Sequence, residues 1–286
     1  MNKLKLCISM LIFGTIGVFV KNIPLQSSVI AMIRGYLGGA ILLIVMLITG
    51  KKPDVKSIKK NALALFLSGA AIGVNWILLF QAYNYTSVAV ATLCYYMQPV
   101  MLIILTPFLL REKLSLKKII CVPVAFSGMV LVCGIFNSQQ NISIKGIVLG
   151  LGAAMFYTSV IIVNRKLKDI SPYDSTLVQL LTAAVVITPY NIVTHQINFI
   201  KLDITGVLML VTVGIVHTGI TYYLYFSSVK HLSSETVAIY SYIDPAFAVV
   251  LSVFLLGEGM DSYGLVGAVL ILGAALFSEI KIKKKR

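Results

Sequence analysis

The chain has 286 residues, of which 58% are hydrophobic and 12% are charged. An ordinary soluble domain has about 45–50% apolar and about 25% charged residues, so this composition excludes a water-soluble globule. The net charge of +14 would suggest nucleic-acid binding in a soluble protein, but in a membrane protein such an excess usually lies in cytoplasmic loops. We therefore expect a protein embedded in the lipid bilayer, with no nucleic-acid partner.

Apolar runs bounded by charged residues, prolines or polar clusters predict ten membrane-spanning helices. Each crossing of a hydrocarbon core roughly 30 Å thick needs about 20 apolar residues, so ten crossings leave only short loops. The predicted spans are residues 5–21, 28–49, 61–82, 87–110, 116–136, 145–164, 173–194, 204–228, 233–256 and 262–280. The predicted fold class is therefore an all-α polytopic membrane protein.

The basic residues are distributed very unequally between the two predicted faces. If the N-terminus lies inside, twenty Lys and Arg residues fall in the inner loops and termini. Three fall on the outer side, namely Lys21, Lys145 and Lys201. Because basic loops stay in the cytoplasm, we expect a multi-pass protein of the cell membrane with both termini in the cytoplasm.

The two halves of the chain align with each other at an offset of 146 residues. The aligned pairs include Gln98-Pro99 with Asp244-Pro245, Phe108-Leu109-Leu110 with Phe254-Leu255-Leu256, and Glu112 with Glu258. Each half, residues 1–137 and 144–286, holds five predicted spans, so the second half enters the membrane from the opposite side. Two inverted five-helix repeats are typical of secondary transporters, whose halves rock about a site near the midplane.

At this point the sequence resembles the drug/metabolite transporter superfamily, and within it the EamA-type ten-span proteins. The resemblance rests on QAYNYTSVAVATLCYYMQPVMLIILTPFLLREKL (81–114) and SSVKHLSSETVAIYSYIDPAFAVVLSVFLLGEGM (227–260). Arg34, in AMIRGYLGG, is similar to the basic residue such proteins carry early in the second span. The resemblance implies that spans 1–4 and 6–9 surround a central cavity, with spans 5 and 10 more peripheral. It also implies small-molecule transport, since EamA-type relatives export amino acids, other metabolites or drugs, and other branches import choline or exchange nucleotide sugars.

Asp244 is the candidate that the sequence marks most clearly. It lies 11 residues after Ser233, which is about 16 Å along a helix and close to the middle of the membrane. A carboxylate at that depth is costly, so it should face a cavity, a partner or a proton. Pro245 follows it and Pro99 occupies the equivalent place in the first half, and both should kink their helices. Asp244 can act as a proton-coupling or cation-binding carboxylate, or as a protonated residue that only packs.

His217 and Arg34 are the other titratable or charged candidates within the spans. His217 should lie at a depth similar to Asp244, where the two could exchange a proton, but spacing does not show whether their helical faces meet. Arg34 lies six residues into its span and could bind a substrate carboxylate or pair helices structurally. Glu112 and Glu258 end their spans, where we expect them to cap the following helices.

Several polar and aromatic residues lie well inside the spans and could either line a cavity or hold helices together. They are Asn75, Trp76, Tyr95, Tyr96, Gln98, Tyr157, Thr221, Tyr222, Tyr240 and Tyr242. The strongest substrate or coupling candidates are Asp244, His217, Gln98, Trp76, Asn75, Tyr95, Tyr222, Tyr157 and Arg34. Apolar walls with a few polar groups suit a small amphipathic solute.

The sequence thus predicts a secondary transporter of small metabolites that works by alternating access. The leading hypothesis is a proton-coupled exporter of amino acids or related metabolites. An importer or exchanger of a choline-like amine or nucleotide sugar, a drug exporter, and a channel or non-transporting sensor remain alternatives. A membrane-embedded enzyme is disfavoured because the three His residues are scattered in depth. We expect no cofactor and no metal, since the four Cys residues form no metal-ligand cluster, and the sequence leaves a homodimer open.

Overall fold

A computed structural model describes residues 2–109, 116–132, 143–194, 202–229, 231–232 and 240–279. Within these ranges every regular element is a helix. The helices are α1 (Asn2–Lys21), α2 (Ser27–Ile48), α3 (Val55–Lys60), α4 (Ala62–Ala82), α5 (Val88–Tyr95), α6 (Gln98–Leu109), α7 (Leu116–Val132), α8 (Ile144–Asn164), α9 (Pro172–Val193), α10 (Ile204–Gly214), a π turn (Ile215–Ile220), α11 (Thr221–Val229), α12 (Ile243–Leu256) and α13 (Ser262–Glu279).

Seven helical segments in the described part of the chain are long and apolar enough to cross a membrane. They are Asn2–Lys21, Ser27–Ile48, Ala62–Ala82, Val88–Leu105, Ile144–Asn164, Pro172–Val193 and Ile204–Ser228. Three shorter apolar helices are Ile119–Val132, Ile243–Leu256 and Ser262–Phe277, at the places of the remaining predicted spans. The all-α membrane class is therefore confirmed, whereas ten crossings and the inverted repeat stay predictions.

Local sequence signals account for several helix ends. Ser87 and Ser171 precede α5 and α9, and their hydroxyls accept hydrogen bonds from the backbone N–H groups of Val90 and Asp174. Pro172 occupies the first position of α9, where its missing N–H costs nothing. Gly257 ends α12 with φ of 64°, a left-handed conformation that favours glycine.

The two prolines of the repeated motif lie in the first turns of helices that begin inside predicted spans. The predicted span 87–110 is divided into α5 and α6, and α6 begins at Gln98, directly before Pro99. Likewise, α12 begins at Ile243, two residues before Pro245, after a turn at Tyr242. Proline is tolerated in a first helical turn because the N–H there lacks an intrahelical acceptor.

The described helices pack in two hydrophobic clusters. One cluster is built mainly on α1, α2, α4, α9 and α10, and α4 packs against both α8 and α9. The other joins α5, α7, α12 and α13. Within it, α7 and α13 approach closely at Gly128 and Gly267. Large apolar side chains such as Phe254 and Val269 are 80% and 71% exposed, as expected of surfaces that face lipid.

On the predicted cytoplasmic side, the region around α3 is tied to the loop between α8 and α9. Asn61 donates to the carbonyl of Lys168 and accepts from its backbone N–H, at 2.9 and 3.0 Å. Lys60 Nζ lies 2.7 Å from Asp169 Oδ2, and this hydrogen-bonded cation lowers the pKa of the Asp169 carboxyl. These contacts join the two predicted halves.

Candidate functional site

A cavity of about 520 Å³ lies between the helices of the two predicted halves. Its described lining comes from α1, α2, α4, α5, α6, α8, α9, α11 and α12 with their adjoining turns, and α7 and α13 contribute none of it. This agrees with the peripheral place that the resemblance implies for spans 5 and 10. Two lining residues carry a formal charge, Arg34 and Asp244. The volume suits a small-molecule ligand.

Arg34 presents a buried guanidinium to this cavity. The residue is only 5% exposed, its Nε donates to Thr218 Oγ1 at 2.8 Å, and its Cζ lies 4.2 Å from the centre of the Trp76 ring. In the described structure its two terminal amino groups make no hydrogen bond or ion pair with protein. A guanidinium with both terminal groups unpaired can bind a carboxylate bidentately.

Asp244 presents the opposite charge. It lies in the first turn of α12, and its Oδ2 accepts a hydrogen bond of 2.6 Å from the hydroxyl of Tyr96, which lies in the turn between α5 and α6. The helix breaks beside Pro99 and Pro245 therefore bring together the donor and the acceptor. Arg34 and Asp244 line one cavity but form no ion pair within 4.0 Å, so each remains available to an opposite charge on a ligand.

Aromatic rings form much of the wall between these charges. The Tyr95 ring packs against Tyr157 at 5.6 Å and edge-on against Tyr96 at 5.8 Å. On the facing side, Tyr222 lies 5.4 Å from Phe13. Such rings can contact an organic cation through their faces and an apolar side chain through their carbon surface.

A hydrogen-bonded amide network contributes to another part of the lining. Gln179 Nε2 donates to Asn164 Oδ1 at 2.6 Å and to Ser68 Oγ at 2.7 Å. Asn164 ends α8 and Gln179 lies in the second turn of α9, on the predicted cytoplasmic side, while Gly17 and Tyr83 lie near helix ends on the predicted outer side. The lining thus extends from residues near one predicted face toward the other.

The structure places most of the candidates from the sequence around this cavity. Those that line it are Arg34, Trp76, Tyr95, Tyr96, Gln98, Pro99, Tyr157, Tyr222, Tyr242 and Asp244. The described lining lacks Asn75, His217, Thr221, Tyr240 and Pro245. Asn75 donates to the carbonyl of Ala153 at 2.6 Å and joins α4 to α8, and Pro245 is buried in the first turn of α12.

His217 does not meet Asp244. Its Nε2 lies 2.7 Å from Thr15 Oγ1, its Nδ1 lies 3.3 Å from the carbonyl of Thr212, and its ring packs on Phe19 at 4.8 Å. The similar depth that the sequence indicated is compatible with this arrangement, because depth does not determine which face of the helix a residue occupies. His217 therefore joins α1 to the π turn.

Glu258 caps a helix different from the expected one. The sequence predicted that it would cap the following helix, but its Oε2 accepts from the backbone N–H of Val88, at the start of α5, at 2.8 Å. The same carboxylate pairs with Lys21 at the end of α1 and accepts from the hydroxyl of Ser252 in α12. Asp261 caps α13 instead, accepting from Gly264 N at 2.7 Å. Glu112 lies outside the described residues.

Sequence reasoning did not identify several residues of the site. Thr218, Gln179, Asn164, Tyr83 and Tyr225 each line the cavity or hold a lining residue. Their residue types are common in membrane helices as interhelical contacts, so type and position alone do not mark them. A polar residue close to a predicted helix end, such as Asn164, is even harder to assign to a site, because polar residues are common at helix ends.

The family model for EamA-like transporters matches residues 3–134 and again residues 144–279. The chain belongs to the EamA-like transporter family. This EamA-like protein is 30% identical over 284 residues to the uncharacterized transporter YxxF of Bacillus subtilis, covering 99% of this chain and 90% of that one. The family and its relatives make it an integral membrane transporter.

Two further relatives have names other than uncharacterized transporter. The EamA-like protein is 26% identical to protein PecM of Dickeya dadantii, covering 75% and 73% of the two chains. It is 23% identical to a probable amino-acid metabolite efflux pump of Salmonella typhimurium, covering 63% of each. A crystal structure of a protein with 16% identity superposes with a TM-score of 0.66 over 97% of this chain and 96% of that one, which supports the fold.

Proposed function

We propose that this protein is a secondary transporter that exports small zwitterionic metabolites, amino acids above all, across the cell membrane by alternating access. The observation that carries the proposal is the pair of opposite, unpaired charges in one cavity, Arg34 and Asp244. Burying a charge without a partner is costly, so a site with two such charges suits a ligand that carries both complements. A substrate carboxylate binds at Arg34 and its ammonium group at Asp244.

Asp244 also supplies the proposed coupling to protons. The negative charge of a carboxylate in a cavity can be neutralised either by a proton or by the ammonium group of the substrate, but not by both at once. If the carrier changes its open side only with one of them bound, movement of protons inward drives substrate outward. The relative named as a probable amino-acid metabolite efflux pump supports this direction.

A binding screen tests the proposed substrate class. Purified protein in detergent is unfolded by heat at two pH values in the presence of amino acids, their methyl esters, their N-acetyl derivatives, choline, nucleotide sugars and hydrophobic cations. A ligand present at about 100 times its Kd adds roughly 2.7 kcal/mol to the free energy of unfolding, which shifts the midpoint measurably.

We expect free amino acids to stabilise the protein most, because the ester lacks the carboxylate and the N-acetyl derivative lacks the ammonium group. Stabilisation by choline, hydrophobic cations or nucleotide sugars alone would contradict the zwitterion proposal. Export is then measured by loading proteoliposomes with the stabilising amino acid and imposing a pH gradient.

A further inference from the structure

The helix that carries Thr218 contains a π turn at the point where it meets Arg34. Over Ile215–Ile220 the chain widens from an α-helix to a π-helix. The hydroxyls of Thr218 and Thr221 donate to the carbonyls five residues earlier, Val213 at 2.9 Å and Val216 at 2.6 Å. Short π segments within α-helices are rare and occur often at functional sites.

The hydroxyl of Thr218 has a fixed orientation as a result. It has one hydrogen to donate and uses it on the carbonyl of Val213, so its lone pairs are left to accept from Arg34 Nε at 2.8 Å. Thr218 itself is fully buried, at 0% exposure. No water shell competes for that hydroxyl.

Close backbone packing keeps Thr218 beside Arg34. Gly38 lies four residues after Arg34, one turn along α2, and a Cβ there would come within 2.3 Å of Thr218 Cγ2. The missing side chain therefore lets α2 and the π turn approach closely enough for the Arg34–Thr218 hydrogen bond. Trp76, with its ring 4.2 Å from Arg34 Cζ, supports the guanidinium from α4.

From this geometry we propose that Thr218 is a positioning residue that makes the site selective for carboxylates. It occupies Nε and leaves the two terminal amino groups of Arg34 to bind a substrate carboxylate side by side. The inference rests on the proposed function and adds a reason why an esterified analogue should bind more weakly than the free amino acid.

Two variants of Thr218 separate the hydroxyl from the shape of the side chain. Thr218→Val keeps the branched shape and removes the hydroxyl, and Thr218→Ser keeps the hydroxyl. Dissociation constants of the common L-amino acids and of their methyl esters are measured for the wild type and both variants by the thermal-unfolding assay. In parallel, the Nε–H signal of Arg34 is followed by ¹⁵N NMR.

The wild type and Thr218→Ser are expected to prefer the free amino acid over its ester to a similar extent. Thr218→Val should lose roughly tenfold of this preference, because hydrogen bonds to charged groups are among the stronger ones, and should lose the protected Nε–H signal. Ester affinity should stay unchanged in all three proteins, which a general folding defect would not allow. Full preference in Thr218→Val would overturn the positioning role alone, whereas a wild type that binds no amino acid overturns the proposed function and this inference with it.

Discussion

Arg34 and Asp244 are each held by a neutral partner rather than by each other. Thr218 accepts from the guanidinium and Tyr96 donates to the carboxylate, so each charge keeps part of its hydrogen bonding without being neutralised. Direct pairing would have satisfied both groups and closed the site to a charged ligand. The arrangement therefore leaves each charge able to bind an opposite charge on a ligand.

At Asp244, replacement by Asn should abolish proton-coupled flux while leaving the protein folded. Asn can still accept the hydrogen bond of Tyr96, but it cannot bind a proton in the physiological range. The measurement is amino-acid efflux from proteoliposomes under an imposed pH gradient. Asp203→Asn is the matched control, because Asp203 caps α10 outside the cavity and Asn is an equally good cap. Unchanged proton coupling in Asp244→Asn would show that the proton binds elsewhere.

The sequence was informative about the charged residues of the site because a charge in an apolar run is costly and therefore conspicuous. Arg34 and Asp244 could be found in this way, and Tyr95, Tyr157 and Tyr222 followed from their depth. Thr218, the neutral partner of Arg34, could not be found, since its position depends on a π turn that shifts the register of its helix by one residue. Spacing gives depth but not direction, so the sequence left open whether His217 meets Asp244, and the structure places His217 against Thr15 instead.

Among the helices, α1, α5 and α12 are joined at one end of the cavity through Glu258. Its carboxylate contacts Lys21 of α1, the first N–H of α5 and Ser252 of α12. The same three helices carry lining residues, and α1 lies against α12 where a Cβ on Gly14 would come within 2.8 Å of the Asp244 carbonyl. Separation of these helices would open the cavity at the predicted outer face.

Glu258→Gln and Lys21→Met are therefore expected to raise access to the cavity from outside. A cysteine introduced by Phe13→Cys, in a protein whose own cysteines are replaced, should react several times faster with a membrane-impermeant maleimide when either change is added. Lys145→Met is the control, since Lys145 is a second cation on the predicted outer side that bonds Tyr85 and not these helices. Equal reaction rates in all of these proteins would mean that the Glu258 contacts do not restrain this end.

The contact between α7 and α13 gives a prediction about packing. A Cβ on Gly267 would come within 2.5 Å of the Gly128 carbonyl, whereas a Cβ on Gly273, in the same helix, would meet no atom within 4 Å. Gly267→Ala should lower the free energy of unfolding by about 1–3 kcal/mol through overpacking. Gly273→Ala should raise it by up to about 1 kcal/mol, because Ala favours the helix. Thermal unfolding of the two variants in detergent checks the opposite signs, and equal effects would contradict this packing.

For the molecule as a whole, hydropathy located the long spans closely. The predictions 61–82, 145–164 and 173–194 correspond to Ala62–Ala82, Ile144–Asn164 and Pro172–Val193. Hydropathy could not locate the interruption between α5 and α6 or the π turn, since both leave the apolar run unbroken. The number of membrane crossings is harder still to predict from hydropathy, because it depends on whether the three shorter apolar helices cross.

The crossing of α7 decides the orientation of much of the protein and can be tested directly. With 17 residues, α7 is about 26 Å long, a little short of a core of roughly 30 Å. Between the exposed residues Lys59 and Lys145 lie α4, the α5–α6 pair and α7. If α4 and the α5–α6 pair, both long enough to span, each cross the membrane, the two residues are on opposite sides only if α7 crosses as well. In a cysteine-free protein in intact cells, Lys145→Cys should react with an impermeant maleimide, and Lys59→Cys should react only after permeabilisation, because the loop around Lys59 is rich in basic residues. Reaction of neither residue before permeabilisation would leave α7 as a helix that does not span, and would remove the odd number of crossings on which the inverted repeat depends.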